Sequence, residues 1–117
     1  MTNSRLTDAE VLEHRYPVLL ESHRINLGSG GQGRWKGGDG TIRRTRFLEP
    51  MTAAILSNHR RIPPFGLHGG APGSVGDQWI EHPDGRVEKL KAADKREVAA
   101  GDIFAAQTPA GGGFGKP

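Results

Sequence analysis

The sequence has no cysteine, which excludes disulfide bonds, thiol catalysis and metal sites with sulfur ligands. It has no apolar run longer than four residues, whereas a membrane-spanning helix needs about 20. The first residues also lack the apolar stretch of an export signal. We therefore expect a cytoplasmic protein that does not contact a membrane.

Large apolar side chains are scarce as well. Leucine, isoleucine, valine and phenylalanine occupy 24 of the 117 positions, and aromatic residues amount to 6%. Glycine and proline together supply 26 positions, about twice their usual share. The length suits one domain, here residues 1–117, and we predict that this domain has a thin core and long loops.

Positive charge is concentrated in the middle of the chain. The formal net charge is +3, but residues 34–62 alone carry seven basic and two acidic side chains. Only Trp35 and Phe47 accompany these charges, whereas nucleic-acid grooves usually interleave cations with aromatic rings. Nucleic-acid binding is therefore not expected, and a strand with a solvent-exposed arginine face that also pairs with acidic groups of a neighbour is favoured. A free-standing, noncatalytic module that holds an anionic partner through segment 34–62 stays open as the alternative function.

Local patterns predict one short helix followed by strands. Thr7 to Glu10 has the T-x-x-E form of a capping box with Thr7 at the N-cap, and Pro17 limits the helix to two or three turns. Pro83, Asp84 and Gly85 mark a tight turn between two antiparallel strands. Residues 91–97 are interpreted as a polar connection.

Strands are predicted over 18–25, with a bulge near Ser22, and over 41–48, 51–61, 78–82, 86–90 and 103–108. The strands at 41–48 and 51–61 could form a hairpin. About six short strands with frequent turn signals favour a mainly β fold. We expect an antiparallel β-sandwich or a partly open barrel with one short N-terminal helix and long Gly-rich loops.

Residues 28–40 contain seven glycines, a density that excludes a regular helix or strand. The stretch matches G-x-G-x-x-G, but a dinucleotide site needs a helix directly afterwards, which the following glycines prevent. A phosphate-binding loop would need Lys and a hydroxyl residue where Arg34 and Trp35 stand. Two interpretations stay open: a structural turn, or an anion-binding loop that uses the amides of Gly28, Gly30, Gly31 and Gly33, with added charge from Arg34 or Lys36.

No cluster of metal ligands or nucleophiles is apparent in the sequence. The five histidines are scattered without the spacing that places two ligands on one face, so no metal site is expected within this chain. Asp39 stands between glycines and is the one carboxylate with a suggestive position, although an Asp in such a turn commonly binds its own backbone.

An ordered set of motifs spans nearly the whole chain. It comprises Met1 to Arg5, Thr7 to Glu10, Arg15 to Val18, Gly28 to Arg34, Gly37 to Gly40, Arg46 to Met51 and Thr108 to Gly115. In this order, the motifs resemble the C-terminal part of the hydantoinase B and 5-oxoprolinase family. The resemblance implies a role in ATP-dependent opening of a cyclic amide, such as a hydantoin or 5-oxoproline. Related carboxylases of acetone-like ketones share the subunit type.

The family's B-type polypeptide is several times longer and works with an A-type partner, so the resemblance implies that this chain is a C-terminal fragment or detached domain. Its expected partners are the remainder of the B-type subunit and an A-type subunit. ATP and Mg²⁺ are implied for the full assembly, with none bound by this chain alone, and the isolated chain is expected to be inactive. The Gly-rich tail, residues 109–117, is expected to be disordered unless docked.

Four polar residues match the family motifs by position: Asn3, Arg5, Arg34 and Asp39. The resemblance makes them candidate contacts at an active-site or subunit boundary. A structural role is the alternative, in which Asn3 and Arg5 anchor the N-terminal segment while Arg34 and Asp39 brace the glycine loop.

Overall fold

The computed structural model describes residues 5–117, which form one short helix and seven strands. All pairings between these strands are antiparallel. The predicted mainly β fold is confirmed, with seven strands where about six were expected. The elements are α1 (Ala9–Arg15), β1 (Val18–Ile25), β2 (Thr41–Phe47), β3 (Met51–Leu56), β4 (Asp77–Glu81), β5 (Val87–Lys89), β6 (Ala93–Val98) and β7 (Ile103–Gln107).

Helix α1 begins one residue later than its capping box predicts. Asp8 is the N-cap, and its carboxylate accepts a hydrogen bond of 2.9 Å from the amide of Glu10. The prediction of Thr7 was wrong because Asp caps at least as well as Thr and also places negative charge at the positive end of the helix. The helix of the described part has seven residues, too few to cross a bilayer.

Five strands form the main sheet in the order β1-β2-β7-β4-β5. The pairing of β1 with β2 runs from Val18 opposite Phe47 to Ile25 opposite Thr41, and its register shifts between Leu20 and Ser22. This shift is the bulge predicted near Ser22. The last strand, β7, lies between β2 and β4, so the final strand in sequence is the central strand of the sheet.

The second sheet pairs β3 with β6 and corrects two predictions. The strand predicted over 51–61 ends at Leu56. It does not form a hairpin with β2, because the chain turns out of the main sheet after Phe47 and pairs with a distant strand. Residues 91–97 are largely strand β6 and not a polar connection. Its charges misled the interpretation: Asp94 and Arg96 lie on the more buried side of β6 and satisfy each other in an ion pair of 2.6 Å.

Strands β4 and β5 form the hairpin predicted around residues 83–85. Gly85 has φ of 91°, a left-handed conformation that glycine adopts without strain. Its amide donates to the carbonyl of His82 at 3.0 Å, and the Asp84 carboxylate accepts from the Arg86 amide at 3.0 Å. The turn is therefore fixed by the residue types that predicted it.

The core lies where the second sheet and α1 cover one face of the main sheet. Its buried cluster consists of Val18, Phe47, Ile80, Leu90 and Val98, with Leu12 and Met51 packed against it. The core is as thin as the composition predicts. The Cα radius of gyration is 16.0 Å, whereas a compact domain of this length has about 13.4 Å.

Candidate functional site

Three glycine-rich segments lie beyond the same ends of strands β1, β2, β7 and β4 and pack together. We call residues 28–40, 64–76 and 109–116 the glycine-rich unit. The Gly31 amide donates to the carbonyl of Gly111 at 2.9 Å, and the Gly113 amide donates to Ala71 at 2.9 Å, which ties the tail to both other segments. The Gly-rich tail is therefore docked, the condition under which order was expected.

Close backbone approach explains why this unit is rich in glycine. A Cβ atom on Gly31 would lie 2.2 Å from the Ala71 oxygen, and one on Gly113 would lie 2.2 Å from the Gln32 oxygen. Real Cβ atoms do not approach that closely, so only glycine fits these positions. Ala110, in the third segment of the unit, is buried as well, with 2% of its surface exposed. The unit thus rests on backbone hydrogen bonds and close backbone contact.

Asp39 fixes the first segment of the unit. Its carboxylate accepts hydrogen bonds from the amides of Gly30 at 2.8 Å and Gly28 at 3.3 Å, and Lys36 Nζ lies 3.2 Å away. The Gly30 amide, with help from Lys36 and Gly28, lowers the pKa of Asp39 below its ordinary value. The ionised carboxylate therefore braces the loop, which is the structural alternative considered for this residue.

The same contacts bear on the predicted anion-binding loop. The amides of Gly28 and Gly30 point at Asp39, and the Gly31 amide binds the tail, so an external phosphate would compete with internal acceptors. After Gly33 the chain is extended, and Trp35 forms a bridge with Phe114 in place of the helix a dinucleotide site requires. Three of the four predicted donors, the amides of Gly28, Gly30 and Gly31, therefore already have internal acceptors. Binding of another anion stays a prediction.

A row of apolar side chains crosses the surface of the unit. Trp35 and Phe114 exchange two backbone hydrogen bonds of 2.9 and 2.8 Å, and Leu67 bridges Phe114 from its other side. We call these three residues the aromatic strip. Their exposed fractions are 64%, 45% and 49% for Trp35, Phe114 and Leu67. Contiguous exposed apolar surface of this kind is typical of interaction sites.

Two polar side chains, those of His68 and Arg34, border the aromatic strip. His68 packs edge-on against the Phe114 ring with 5.0 Å between centroids. The guanidinium of Arg34 lies 5.9 Å from the centre of the Trp35 ring, within reach of a cation–π contact. The backbone amide of Arg34 also donates to Gly115 at 3.1 Å. A positive charge and an imidazole therefore frame an otherwise apolar surface.

The structure brings together two of the four candidate boundary residues. Arg34 and Asp39 belong to the same segment of the glycine-rich unit, where Asp39 points inward and Arg34 is exposed. Arg5 is also exposed and precedes α1. Asn3 lies outside the described residues. A boundary role for these residues stays a prediction.

The basic segment 34–62 does not form one continuous face. Arg44 binds Glu81 at 2.8 Å, and Arg46 pairs with Glu21. Arg60 is turned inward against the side chain of Gln78, and burial lowers its pKa. Arginines paired with acidic neighbours were the favoured interpretation, and these contacts support it. The anion-binding module is correspondingly weakened.

One polar network has no counterpart among the residues predicted from the sequence. His82 Nδ1 lies 3.0 Å from Asp102, and its Nε2 lies 3.4 Å from Glu88, which Arg96 holds at 3.0 Å. The Asp102 carboxylate also accepts from the Ala99 amide at 2.8 Å. These partners come from four stretches of chain, so no local spacing signals them. Both ring nitrogens face carboxylates, and the network joins the residue after β4 with β5, β6 and the turn before β7.

Metal ligands are not grouped in the part of the chain that the structure describes. Within residues 5–117, no three His, Asp or Glu side chains are placed to hold an ion.

Comparison with known proteins identifies the family of this chain. The whole chain, residues 1–117, matches the profile of the family described as hydantoinase B/oxoprolinase. The chain belongs to this family. It is 45% identical over 108 residues to the 5-oxoprolinase of Saccharomyces cerevisiae, a match that covers 92% of this chain and 8% of that protein.

Two solved structures of ATP-dependent enzymes share the fold of this family member. The caprolactamase from Pseudomonas jessenii superposes with a TM-score of 0.80 and 26% identity, covering 94% of this chain and 20% of that one. Nucleotide-free acetone carboxylase gives a TM-score of 0.79 at 19% identity over 95% of this chain and 19% of its own. The chain spans about a tenth of the length of the first curated relatives it matches.

Proposed function

We propose that this hydantoinase B/oxoprolinase chain is the C-terminal domain of a B-type subunit in an ATP-dependent enzyme that opens a cyclic amide. The observation that carries the proposal is the match along the whole chain, together with the identity to a protein named 5-oxoprolinase. The caprolactamase fold supports the same chemistry, since a lactam is a cyclic amide. The ring substrate is a hydantoin or 5-oxoproline.

The chain contributes a rigid surface to that enzyme. Opening a cyclic amide places negative charge on the amide oxygen, which must be met by fixed donors and cations. Asp39 holds the loop in shape, and Arg34 sits exposed beside the Trp35 ring. We assign Arg34 to the boundary of the active site or the subunit. Asp39 is assigned a positioning role, in which it holds the loop that carries Arg34. Arg5 and Asn3 are assigned to the same boundary from their family positions.

The exposed apolar surface of the aromatic strip indicates where a partner binds. The aromatic strip leaves apolar area in water that a partner surface would bury, at about 25 cal/mol for each Å². We propose that it docks against the remainder of the B-type subunit, which in turn works with an A-type subunit. ATP and Mg²⁺ belong to that assembly, where they would supply activation of the amide, because the amides of Gly28, Gly30 and Gly31 here are bound to Asp39 and the tail.

A chimeric enzyme tests the proposal. The matching 108 residues of the S. cerevisiae 5-oxoprolinase are replaced by this chain, and ATP-dependent hydrolysis of 5-oxoproline is measured. We expect activity in the chimera and none after deletion of the stretch. Replacing Trp35 and Phe114 together by Ala should lower activity by about tenfold or more, because apolar anchors at interfaces are worth roughly 1–3 kcal/mol each.

Val87→Ala is the matched control, because Val87 is 57% exposed on the edge strand β5, outside the glycine-rich unit. Its chimera should keep its activity within about twofold. Equal losses in both variants would count against docking through the aromatic strip. An inactive chimera, with salt-sensitive nucleic-acid binding by this chain alone, would instead favour the anion-binding module.

A further inference from the structure

A second site lies away from the glycine-rich unit, between the main sheet and the elements that cover it. The cavity has a volume of about 410 Å³, which is within the range of small-molecule sites. Phe47 and Phe104 from the main sheet form its floor, and Leu12 from α1 and Ala53 from β3 line it as well. Small and apolar side chains therefore leave room for an apolar body.

One cation projects into this apolar space. Arg43 lies on the same side of β2 as Thr45 and Phe47, and all three line the cavity. The neighbouring arginines, Arg44 and Arg46, alternate to the opposite face and pair with Glu81 and Glu21. Arg43 is thus distinguished from its neighbours by its face and by its lack of an acidic partner among the described residues.

The guanidinium of Arg43 is incompletely satisfied. Its Nε atom is buried and has no hydrogen-bond partner among residues 5–117. Buried donors without an acceptor are rare in folded proteins, and a planar guanidinium matches a carboxylate with two parallel hydrogen bonds. No described residue that lines the cavity is acidic. A carboxylate held in the cavity would supply the missing acceptor.

We propose that this cavity binds a small organic carboxylate, with its carboxylate on Arg43 and a short apolar body against Phe47 and Phe104. The single positive charge matches a monoanion, whereas a dianionic phosphate would bring a second charge into an apolar cavity. Thr7 and Thr45 line the same space and carry hydroxyl groups that can donate to an anion. The site is separate from the proposed cyclic-amide function and does not depend on it.

Binding is tested on the full chain by NMR titration with hexanoate, compared with hexanamide, which has the same body without the charge. We expect saturable shifts of the Arg43 Nε–H signal and of amides along β2 and β7. Hexanoate should bind about tenfold or more tightly than hexanamide, as a charged hydrogen-bonded pair implies. Acetate, which has no apolar body, should bind more weakly than hexanoate.

Two variants separate the charge from the space. Arg43→Gln should weaken hexanoate binding about tenfold or more, and Arg44→Gln, on the same strand but the opposite face, should leave it within twofold. Ala106→Leu should fill the cavity and reduce binding with Arg43 intact, which keeps the test decisive if Arg43→Gln fails to fold. Equal binding of hexanoate and hexanamide, equal effects of the two arginine variants, or no saturable binding at millimolar hexanoate would overturn the proposal.

Discussion

The carboxylate of Asp39 accepts a hydrogen bond of 2.8 Å from the backbone amide of Gly30, nine positions earlier in the chain. The contact joins the two ends of the first segment of the glycine-rich unit through the carboxylate of Asp39. Because the tail binds the same segment through Gly31, the shape of the loop and the docking of the tail are coupled. The unit is thus organised by backbone donors and one carboxylate.

Replacing Asp39 by Asn should loosen this unit. The amide oxygen of Asn can accept one of the two hydrogen bonds, but the charge that strengthens both bonds and pairs with Lys36 is lost. We expect a lower urea midpoint and faster amide exchange at Gly28 and Gly30. Glu49→Gln, at an exposed position with the same charge change, is the control and should leave both quantities unchanged.

A Cβ atom at Gly113 should destabilise the fold, whereas one at Gly38 should not. Gly113→Ala places the methyl group 2.2 Å from the Gln32 oxygen, while the space around Gly38 is open to 4 Å. Gly113→Ala should lower the free energy of unfolding by about 2 kcal/mol or more, because backbone must move. Gly38→Ala should change it by no more than about 1 kcal/mol. Urea unfolding of both variants measures the difference, and equal values would contradict the packing of the tail.

Acid should destabilise the fold through its carboxylates. Four of them have a pKa lowered by hydrogen bonds in the folded state: Asp39 by Gly30, Asp84 by the Arg86 amide, Glu88 by the Arg96 side chain and Asp94 by the Lys91 amide. The unfolded chain therefore takes up protons at a higher pH than the folded chain. Their contribution to stability is complete above about pH 5 and is lost as the pH falls through about 4 toward the folded values.

Urea unfolding at pH 7, 5, 4 and 3 measures this dependence. These four groups should leave the urea midpoint unchanged between pH 7 and pH 5. Below pH 5 the midpoint should decrease. The Asp39→Asn variant should show a shallower fall, since one of the four groups is gone. An unchanged midpoint at pH 3 would show that these contacts do not favour the ionised forms.

The sequence predicted those parts of the fold whose signals are local. Pro83 and Gly85 predict their turn directly, because both residue types are typical of turns. The bulge near Ser22 is predicted by a break in the alternation of apolar and polar residues within one strand. Strand β6 was missed because its less exposed side carries Asp94 and Arg96, whose ion pair replaces the apolar residues that alternation relies on. Two charged residues on one face of a strand give no hydrophobic period to detect.

The candidate site was predicted in part for the same reason. Asp39 drew attention because it stands between glycines, and its local contacts are the ones such a position favours. The aromatic strip could not be predicted, because Trp35, Leu67 and Phe114 are far apart in sequence and meet only through backbone bridges. Glycine segments carry no apolar pattern that would reveal which backbones approach one another. The His82 network was hidden likewise, since its partners lie on separate elements.

The proposed function requires the glycine-rich unit to be one packed body that serves a larger enzyme. The most direct measurement is ATP-dependent 5-oxoproline hydrolysis by the chimeric S. cerevisiae enzyme carrying Gly113→Ala or Gly38→Ala. The account predicts that Gly113→Ala reduces the rate by about tenfold or more while Gly38→Ala stays within twofold of the unmodified chimera, with both proteins present in equal amounts. Full activity of the Gly113→Ala chimera would contradict it.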